Sequence, residues 1–497
     1  MNKEKTLVLD VEENPSKISE WVLFSLQHIL AMLVACITVP LITGLSVAAT
    51  LVSAGIGTLC YILITKKKSP VFLSSSFAYL APMSSALAVG LINDAAGRNY
   101  LGLILGMAMV GLVYVLIALV IRFVGTKWLS KLLPPIVIGP IIMVIGLSLA
   151  GSAINNLTNV NGGAAGYNWI HILSGLVALF ATALAAHYGK KMIALIPFVI
   201  GMGAGYLFAL AMTGIGYAAG NDYLKVIDFA PFANIFGENF SFASIINYKM
   251  FVPNDPESFL FLRFEEISKF DWAKIGEIIL LFVPVSLVTV CEHIGDHENL
   301  GNIINRDLLN DEPGMARTLT GDGIATAVSG ALCGAANTTY GENVAVIGTT
   351  KVASVNVVLA AAIASIVIGF ITPITALLST IPGCVTGGVS LILYGFIASS
   401  GVKMLIKEKV DFTKTKNIFV ASVILVAGIG GFAWKFGDPL NPAIIVTSTA
   451  VAMILGIVLN FVLREKNEEA PAQPEEAAPA EEPAEAPAEE AAEEAAE

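Results

Sequence analysis

Charge is scarce in this 497-residue chain: Asp, Glu, Lys and Arg make up 13% of it, against 56% hydrophobic residues and a mean hydropathy of +0.76. Apolar runs near the ~20 residues that a helix needs to cross hydrocarbon recur along its length, which excludes an ordinary soluble domain and fits a polytopic membrane protein. The five cysteines, Cys36, Cys60, Cys291, Cys333 and Cys384, lie apart in apolar stretches without a CxxC pair. That excludes a disulfide framework and leaves small buried hydrophobes. There is no Walker A loop, which argues against direct driving by ATP. There is no HExxH and no thiolate partner, so His293 and His297, though four apart, do not make a metal pair. No catalytic set, metal or organic cofactor is expected, and nucleic acid is not an expected partner. No cleavable leader is visible either: residues 1–20 are polar and are expected to stay in the cytoplasm.

Acidic residues dominate the net charge of −11, but unevenly. Residues 468–497 hold twelve Glu and no Lys or Arg, so the rest of the chain is within one charge of neutral. The segment 465–497 reads as a disordered, solvated cytoplasmic tail of Ala, Pro and Glu.

Hydropathy divides the remainder into fourteen spans: 21–42, 46–64, 71–92, 100–121, 133–151, 169–186, 192–212, 275–297, 318–334, 338–350, 353–378, 384–401, 416–433 and 441–463. With the N-terminus inside, 21 of the 28 Lys and Arg fall on the cytoplasmic side, as the positive-inside rule asks. Residues 213–274 read as a long polar-aromatic external segment, a lid or an ordered loop packed on the outer face. Seven spans on each side of it suggest an inverted repeat, because an odd number reverses the second copy. Both halves carry an interrupted span: LSSSFAYLAP (73–82) and ANTTYGEN (336–343). Hydroxyl residues and aromatics there favour extended backbone, which is tolerated at membrane depth only where protein buries it or a cavity adjoins it. The expectation is two short antiparallel strands, each continuing into a half-helix. Corresponding broken segments point to a transporter's binding site.

Four acids converge on the stretch TVCEHIGDHENLG…NTTYGENVAVIGTTK: Glu292, Asp296, Asp322 and Glu342. A carboxylate near the bilayer centre costs roughly 2.5–3.5 kcal/mol, so its presence there asks for a function. Glu292 and Asp296 are four apart on one helix face. Two carboxylates that close in low dielectric do not both ionise easily, the condition that reversible protonation needs. The alternative is a helix end reaching the cytoplasmic interface, which Glu298 fits better. Glu342 follows Gly341 at the start of a half-helix, where unpaired N–H groups tolerate an anion and receive a polar ligand. Phe77 and Tyr340 can stack on an aromatic ring or serve core packing. Gln27, His28 and Asn343 either tie helices together or line the site. Asp322 and His293 are read as a supporting layer, or Asp322 as a helix start facing water. The ligand these groups suit is small, flat and neutral, with N–H donors for a carboxylate. No Arg or Lys lies among them, which argues against phosphorylated or strongly anionic cargo. A receptor on the same scaffold would bind without flux, and an anion exchanger would want a cation where carboxylates stand.

QHILAM (27–32), LSSSFAYLAPM (73–83), EHIGD (292–296), NTTYGENVAVIGTTK (337–351) and PGCVTGGVSLILYG (382–395) together resemble the nucleobase–ascorbate transporter family, and within it the bacterial uracil permeases most. The resemblance implies an all-α membrane protein of fourteen spans in a 7+7 inverted repeat, with strands in broken spans 3 and 10. It implies a transporter domain, 21–463, made of a core (spans 1–4 and 8–11, about 21–121 and 275–378) and a gate (spans 5–7 and 12–14, about 133–212 and 384–463). It also implies a homodimer in the plasma or inner membrane, importing uracil by proton symport. Glu292, Glu342, Phe77, Tyr340, Gly341 and Ser76 would hold the base; Glu292, Asp296 and Glu342 would carry the proton. Gln27, His28, His293, Asp322 and Asn343 would stand behind them. The chain departs from uracil permeases in reading EHIGD where they read EHIGH, and in having Ala345 where the family signature has Gly. Purine-transporting relatives carry Asp at positions matching Asp296 and Asp322 but Gln in place of Glu342. Xanthine or uric acid, or dual purine–pyrimidine cargo, therefore stays open, as does sodium for proton.

Overall fold

The structure, a computed structural model, describes residues 7–88, 100–159, 166–190, 193, 196–236, 242–253, 259, 270–437 and 442–463. The acidic segment 465–497, the first six residues and much of the loop 213–274 lie outside these. The chain runs α1 (Ile18–Thr43), α2 (Val47–Ile64), β1 (Leu73–Ser75), α3 (Leu80–Ala88), α4 (Tyr100–Val124), α5 (Lys127–Leu132), α6 (Pro135–Ser148), α7 (Ala150–Thr158), α8 (Trp169–Tyr188), α9 (Pro197–Ala219) and α10 (Ala230–Phe236). It continues through α11 (Ile275–Ile304), α12 (Met315–Ala331), β2 (Asn337–Thr339), α13 (Gly341–Thr350), α14 (Val355–Phe370), α15 (Thr372–Ser379), α16 (Gly383–Lys407), α17 (Thr415–Ile429), β3 (Trp434–Gly437), β4 (Pro442–Val446) and α18 (Ser448–Val462). Counting α6 and α7 as one span, eight of the described helices are long and apolar enough to cross a membrane, and four shorter apolar ones accompany them. The protein is a mostly helical, multi-pass membrane protein.

Helix ends follow local chemistry. Ser46 caps α2 by accepting from the Ala49 N–H at 3.2 Å, and Ser354 caps α14 through Val357 at 3.4 Å. These side chains satisfy N–H groups that have no partner within the helix. Packing then sorts the helices into two groups. In the first, α1–α4 pack with α11–α14; in the second, α6–α9 pack with α16–α18. Helices α1 and α11 form the seam, touching α9 and α16, and α6, β4 and α18, respectively. Close approach inside the first group depends on small residues. A Cβ on Gly111 of α4 would lie 2.6 Å from the carbonyl oxygen of Gly323 on α12, so only glycine lets these backbones meet.

The two broken spans come together. Strand β1 pairs antiparallel with β2, Leu73 opposite Thr339, Ser74 opposite Thr338 and Ser75 opposite Asn337, and all six residues are buried. Three residues per strand leave many edge groups, and neighbouring helices take them up. Thr58 of α2 receives the Leu73 N–H at 3.0 Å, Asn337 donates its amide to the Ser53 carbonyl at 2.9 Å, and Thr326 of α12 donates to the Asn337 carbonyl. Extended backbone deep in the protein is thus satisfied by protein alone.

Several sequence boundaries need correction. Helix α9 continues to Ala219, seven residues past the expected loop start at 213. Helix α11 continues to Ile304, so Glu292, Asp296 and His297 lie inside a helix and not at its end. Residues 442–446, placed in the last span, are strand β4, paired antiparallel with β3. That hairpin has a legible signal: Trp434-Lys435-Phe436 and Ile444-Ile445-Val446 flank a Gly-Asp-Pro-Leu-Asn-Pro stretch rich in turn formers. The N-terminal segment is tied to the helices. Leu9 and Val11 exchange backbone hydrogen bonds with 351–355, at 2.8–3.3 Å, and Asp10 receives Arg306 at 3.0 and 3.1 Å. Of the outer loop, Asn247 donates its N–H to the Phe370 carbonyl at 2.8 Å, and the Phe251 ring stacks on that of Phe370.

Candidate functional site

The site is assembled where β2 turns into α13, against the middle of α11. Tyr340 is the hinge between strand and helix: its backbone is extended, and its carbonyl accepts from Asn343 at 3.0 Å and Val344 at 3.3 Å, opening the helix. Gly341 follows, tight against α11. A Cβ there would stand 3.2 Å from Asp296 Oδ1, so the missing side chain is what lets α13 start beside that carboxylate. Glu342 is in the first turn, where the unpaired N–H groups and the helix dipole favour a negative charge.

Glu292, Asp296 and Glu342 are near enough for the charge of each to act on the others. Glu292 is exposed, and Asp296 and Glu342 are half-buried. Neither Glu292 nor Glu342 is hydrogen-bonded to another side chain among the described residues, and Asp296 Oδ2 is buried without a partner. Carboxylate oxygens in such a place are a reserve of unused acceptors, since burial without a hydrogen bond costs energy unless a ligand or a proton supplies one.

Aromatic residues close the other side. Phe77 opens the turn after β1 and is buried; its ring meets that of Tyr394, from α16, edge to face at 6.1 Å. This is a contact between the two helix groups. Tyr340 is also buried. Ser76 donates its N–H to the Ala336 carbonyl at 2.8 Å, extending the strand pairing by one rung, so its backbone is committed to structure.

The supporting residues sort themselves by partner. His28 of α1 shares a hydrogen bond with Asn343 Oδ1 at 2.9 Å through its Nδ1, both side chains buried, and the Asn343 Nδ2 is left without a protein acceptor. Gln27 is buried alongside. Asp322 is not at a helix start facing water: it lies mid-way along α12, 0% exposed. Its Oδ2 accepts from His293 Nδ1 at 2.7 Å, from the Thr339 hydroxyl at 2.9 Å and from the Thr339 N–H at 3.3 Å. His293 Nε2 meets the Thr318 hydroxyl at 3.0 Å. Among the described residues no cluster of His, Cys, Asp or Glu has the arrangement to hold a metal. His293 and His297 instead stack ring on ring, centroids 4.0 Å apart.

Three contributors escaped the sequence reading. Tyr394 stands in the motif PGCVTGGVSLILYG, where its position alone does not distinguish it from core. Thr339 and Tyr61 are a hydroxyl in a strand and an aromatic in an apolar run, and neither type is conspicuous in a membrane span.

Comparison with known proteins agrees with this architecture. The transmembrane domain of a cyanobacterial bicarbonate transporter, BicA, superposes with a TM-score of 0.59 at 14% identity, covering 90% of this chain and 99% of that one. The murine anion transporter Slc26a9, in its inward-facing state, gives 0.61 at 10% identity, covering 90% and 69%. At those identities the likeness is one of fold. In sequence, the uracil permease of Bacillus caldolyticus is 40% identical over 473 residues, 95% of this chain and 97% of its own length. The uracil permease of Bacillus subtilis (strain 168) is 38% identical, covering 94% and 98%. The model of the permease family Xan_ur_permease matches residues 19–436. The chain is therefore a member of that permease family, a membrane transporter and not an enzyme.

Proposed function

We propose that this permease carries uracil across the membrane, importing it by proton symport. The observation that carries the reading is the convergence of Glu292 and Glu342, with open acceptor oxygens, beside a glycine backbone and two buried aromatic rings. A uracil ring offers N–H donors to carboxylates, carbonyl oxygens to the N–H groups opening α13, and two flat faces to Phe77 and Tyr340. The names of the relatives support uracil as the first cargo. Xanthine or uric acid is the second reading, favoured by Asp296 and Asp322, the acids that the resemblance assigns to purine transporters.

The protonatable acids beside the cargo support proton coupling, with Asp296 and Glu292 taking and releasing the proton as the site opens to either side. Fourteen spans in two inverted sevens, with α1–α4 and α11–α14 as a core moving against α6–α9 and α16–α18 as a gate, suit the seam of contacts along α1 and α11. In this reading both termini face the cytoplasm, lipid surrounds the helices and two copies form a homodimer. Uptake of labelled uracil tests the proposal, with xanthine, uric acid, thymine and hypoxanthine as competitors. Uptake that survives Glu342→Ala unchanged would remove the site, and uptake indifferent to a collapsed pH gradient would remove proton coupling. The variant Asp296→His tests the cargo: it is expected to weaken competition by xanthine and leave uracil uptake in place.

A further inference from the structure

His297 takes no part in the transport reading, yet it is 0% exposed and closes a hydrogen-bonded chain that ends beside the site. The chain starts at Ser69, in the link between α2 and β1, whose hydroxyl is 2.8 Å from that of Tyr61. The Tyr61 hydroxyl is 2.6 Å from His297 Nε2, and His297 Nδ1 is 2.9 Å from the carbonyl oxygen of His293. A carbonyl can only accept, so Nδ1 carries the proton. In the neutral ring Nε2 accepts from the Tyr61 O–H, and the Tyr61 oxygen accepts from Ser69. Every donor in the chain is thereby assigned.

From His297 the contact passes to His293 through that carbonyl bond, with the two rings stacked alongside, centroids 4.0 Å apart and 27° between planes. His293 holds Asp322, and Asp322 holds both the N–H and the hydroxyl of Thr339, the residue directly before Tyr340, Gly341 and Glu342. Glu292 is the immediate neighbour of His293 on α11. One buried network therefore ties α2, α11, α12 and β2 together, with the two site glutamates next to its far end.

We propose that Tyr61 and His297 are positioning residues of the substrate site: acting through His293 and Asp322, they set the placement of Glu292 relative to Glu342. The inference rests on the uracil reading for its transport readout. A merely structural staple would change how much folded transporter reaches the membrane and leave KM where it was.

The test is uptake of labelled uracil by Y61F, H297L, H297Q and the double variant Y61F/H297L, normalised to transporter in the membrane. KM is expected to rise about threefold to tenfold in Y61F and H297L, the size of coupling found within one hydrogen-bonded network. H297Q, whose amide keeps an acceptor for Tyr61 and a donor, is expected to remain within about twofold of wild type, and the double variant to be no worse than H297L. Losses confined to Vmax in proportion to abundance, or additive losses in the double variant, would overturn the proposal. A wild type that takes up no uracil would overturn the uracil reading instead. In that event hydrogen exchange at the Thr339–Glu342 amides of purified protein decides without any substrate. Faster exchange in Y61F and H297L than in wild type and H297Q supports positioning, and equal rates in all four overturn it.

Discussion

Two groups of acids stand side by side in this protein and are treated in opposite ways. Asp322 loads three donors onto one oxygen, from His293 and twice from Thr339, and its partners are themselves engaged by Thr318 and by the strand pairing. Glu292, Asp296 and Glu342 have the same chemistry but are less deeply buried, Glu292 being exposed, and their oxygens meet no donor from another side chain among the described residues. The first arrangement fixes backbone; the second leaves acceptors free for something that arrives and departs. Residue type alone does not separate a structural acid from a transporting one. Hydrogen bonding does: Asp322 is anchored to the backbone through its filled Oδ2, with Oδ1 buried and unpartnered among the described residues, whereas no oxygen of the second group is held by another side chain.

The contrast predicts opposite signatures in mutants, and the largest effect belongs to the open group. Glu342→Ala and Glu292→Gln are each expected to cut uracil uptake by about tenfold to a hundredfold, since a ligand N–H that loses a carboxylate acceptor forfeits roughly 1–3 kcal/mol. Thermal stability in detergent should stay level, because neither carboxylate is held by another side chain among the described residues and Glu292 is exposed. Asp322→Asn should do the reverse in stability. It keeps the volume but replaces an acceptor of three donors, and the melting temperature is expected to fall by several degrees for a loss of about 1–3 kcal/mol. Parallel uptake and melting curves on the same three variants check both halves. If Asp322→Asn melts like wild type while Glu342→Ala unfolds, the comparison is wrong way round.

Gly341→Ala sharpens the comparison at the point where the groups touch. The new methyl would stand 3.2 Å from Asp296 Oδ1, tighter than ordinary contact by a few tenths of an ångström. The carboxylate has room to give, because its other oxygen is not tied to protein. A moderate loss of uptake, about threefold to tenfold in KM, with an unchanged melting temperature is expected for a methyl that crowds a ligand and not a core. Measuring KM and melting temperature together checks it; a drop in melting temperature would show that Asp296 is held as firmly as Asp322.

How much of this could be read beforehand follows from the same physics. Ionisable residues in apolar runs are conspicuous, so Glu292, Asp296, Asp322 and Glu342 announced themselves, as did the hydroxyl-rich interruptions at 73–76 and 337–339. What pairs with what was not legible. Nothing in the spacing of a sequence says that Thr339 faces Asp322 or that Tyr61 faces His297, because those contacts join helices distant along the chain. Helix ends were misjudged by several residues at Ala219 and Ile304, since hydropathy marks where the membrane ends and not where the helix does. The β3–β4 hairpin was absorbed into a span because Ile444, Ile445 and Val446 count as apolar whatever their backbone does.

An acid outside the membrane gives the third case and the smallest effect. Glu312, in the link between α11 and α12, meets Lys68, Arg317 at 2.8 Å and Lys66 at 3.2 Å, all of them at the water-facing surface. Those cations, Lys68 foremost, hold its carboxyl down to about 2, against an ordinary value of 4.5. Its contribution is therefore complete above about pH 4.5 and fades only as the pH falls through about 2, so no change in the clamp is expected across the physiological range. Solvent screens such pairs, and exposed ones contribute little to global stability. The cost of Glu312→Gln should instead be local. Lys66 and Lys67 sit at φ of 55° and 60°, a turn that side chains other than glycine hold only under constraint. With the anchor gone, that turn is expected to open more often, so that tryptic cleavage at Lys66–Lys68 at pH 7.5 quickens about threefold while uracil uptake is unaffected. Cleavage at the wild-type rate would show that Thr65, whose hydroxyl donates to the Tyr61 carbonyl at 2.8 Å, and not the three cations on Glu312, keeps the turn closed.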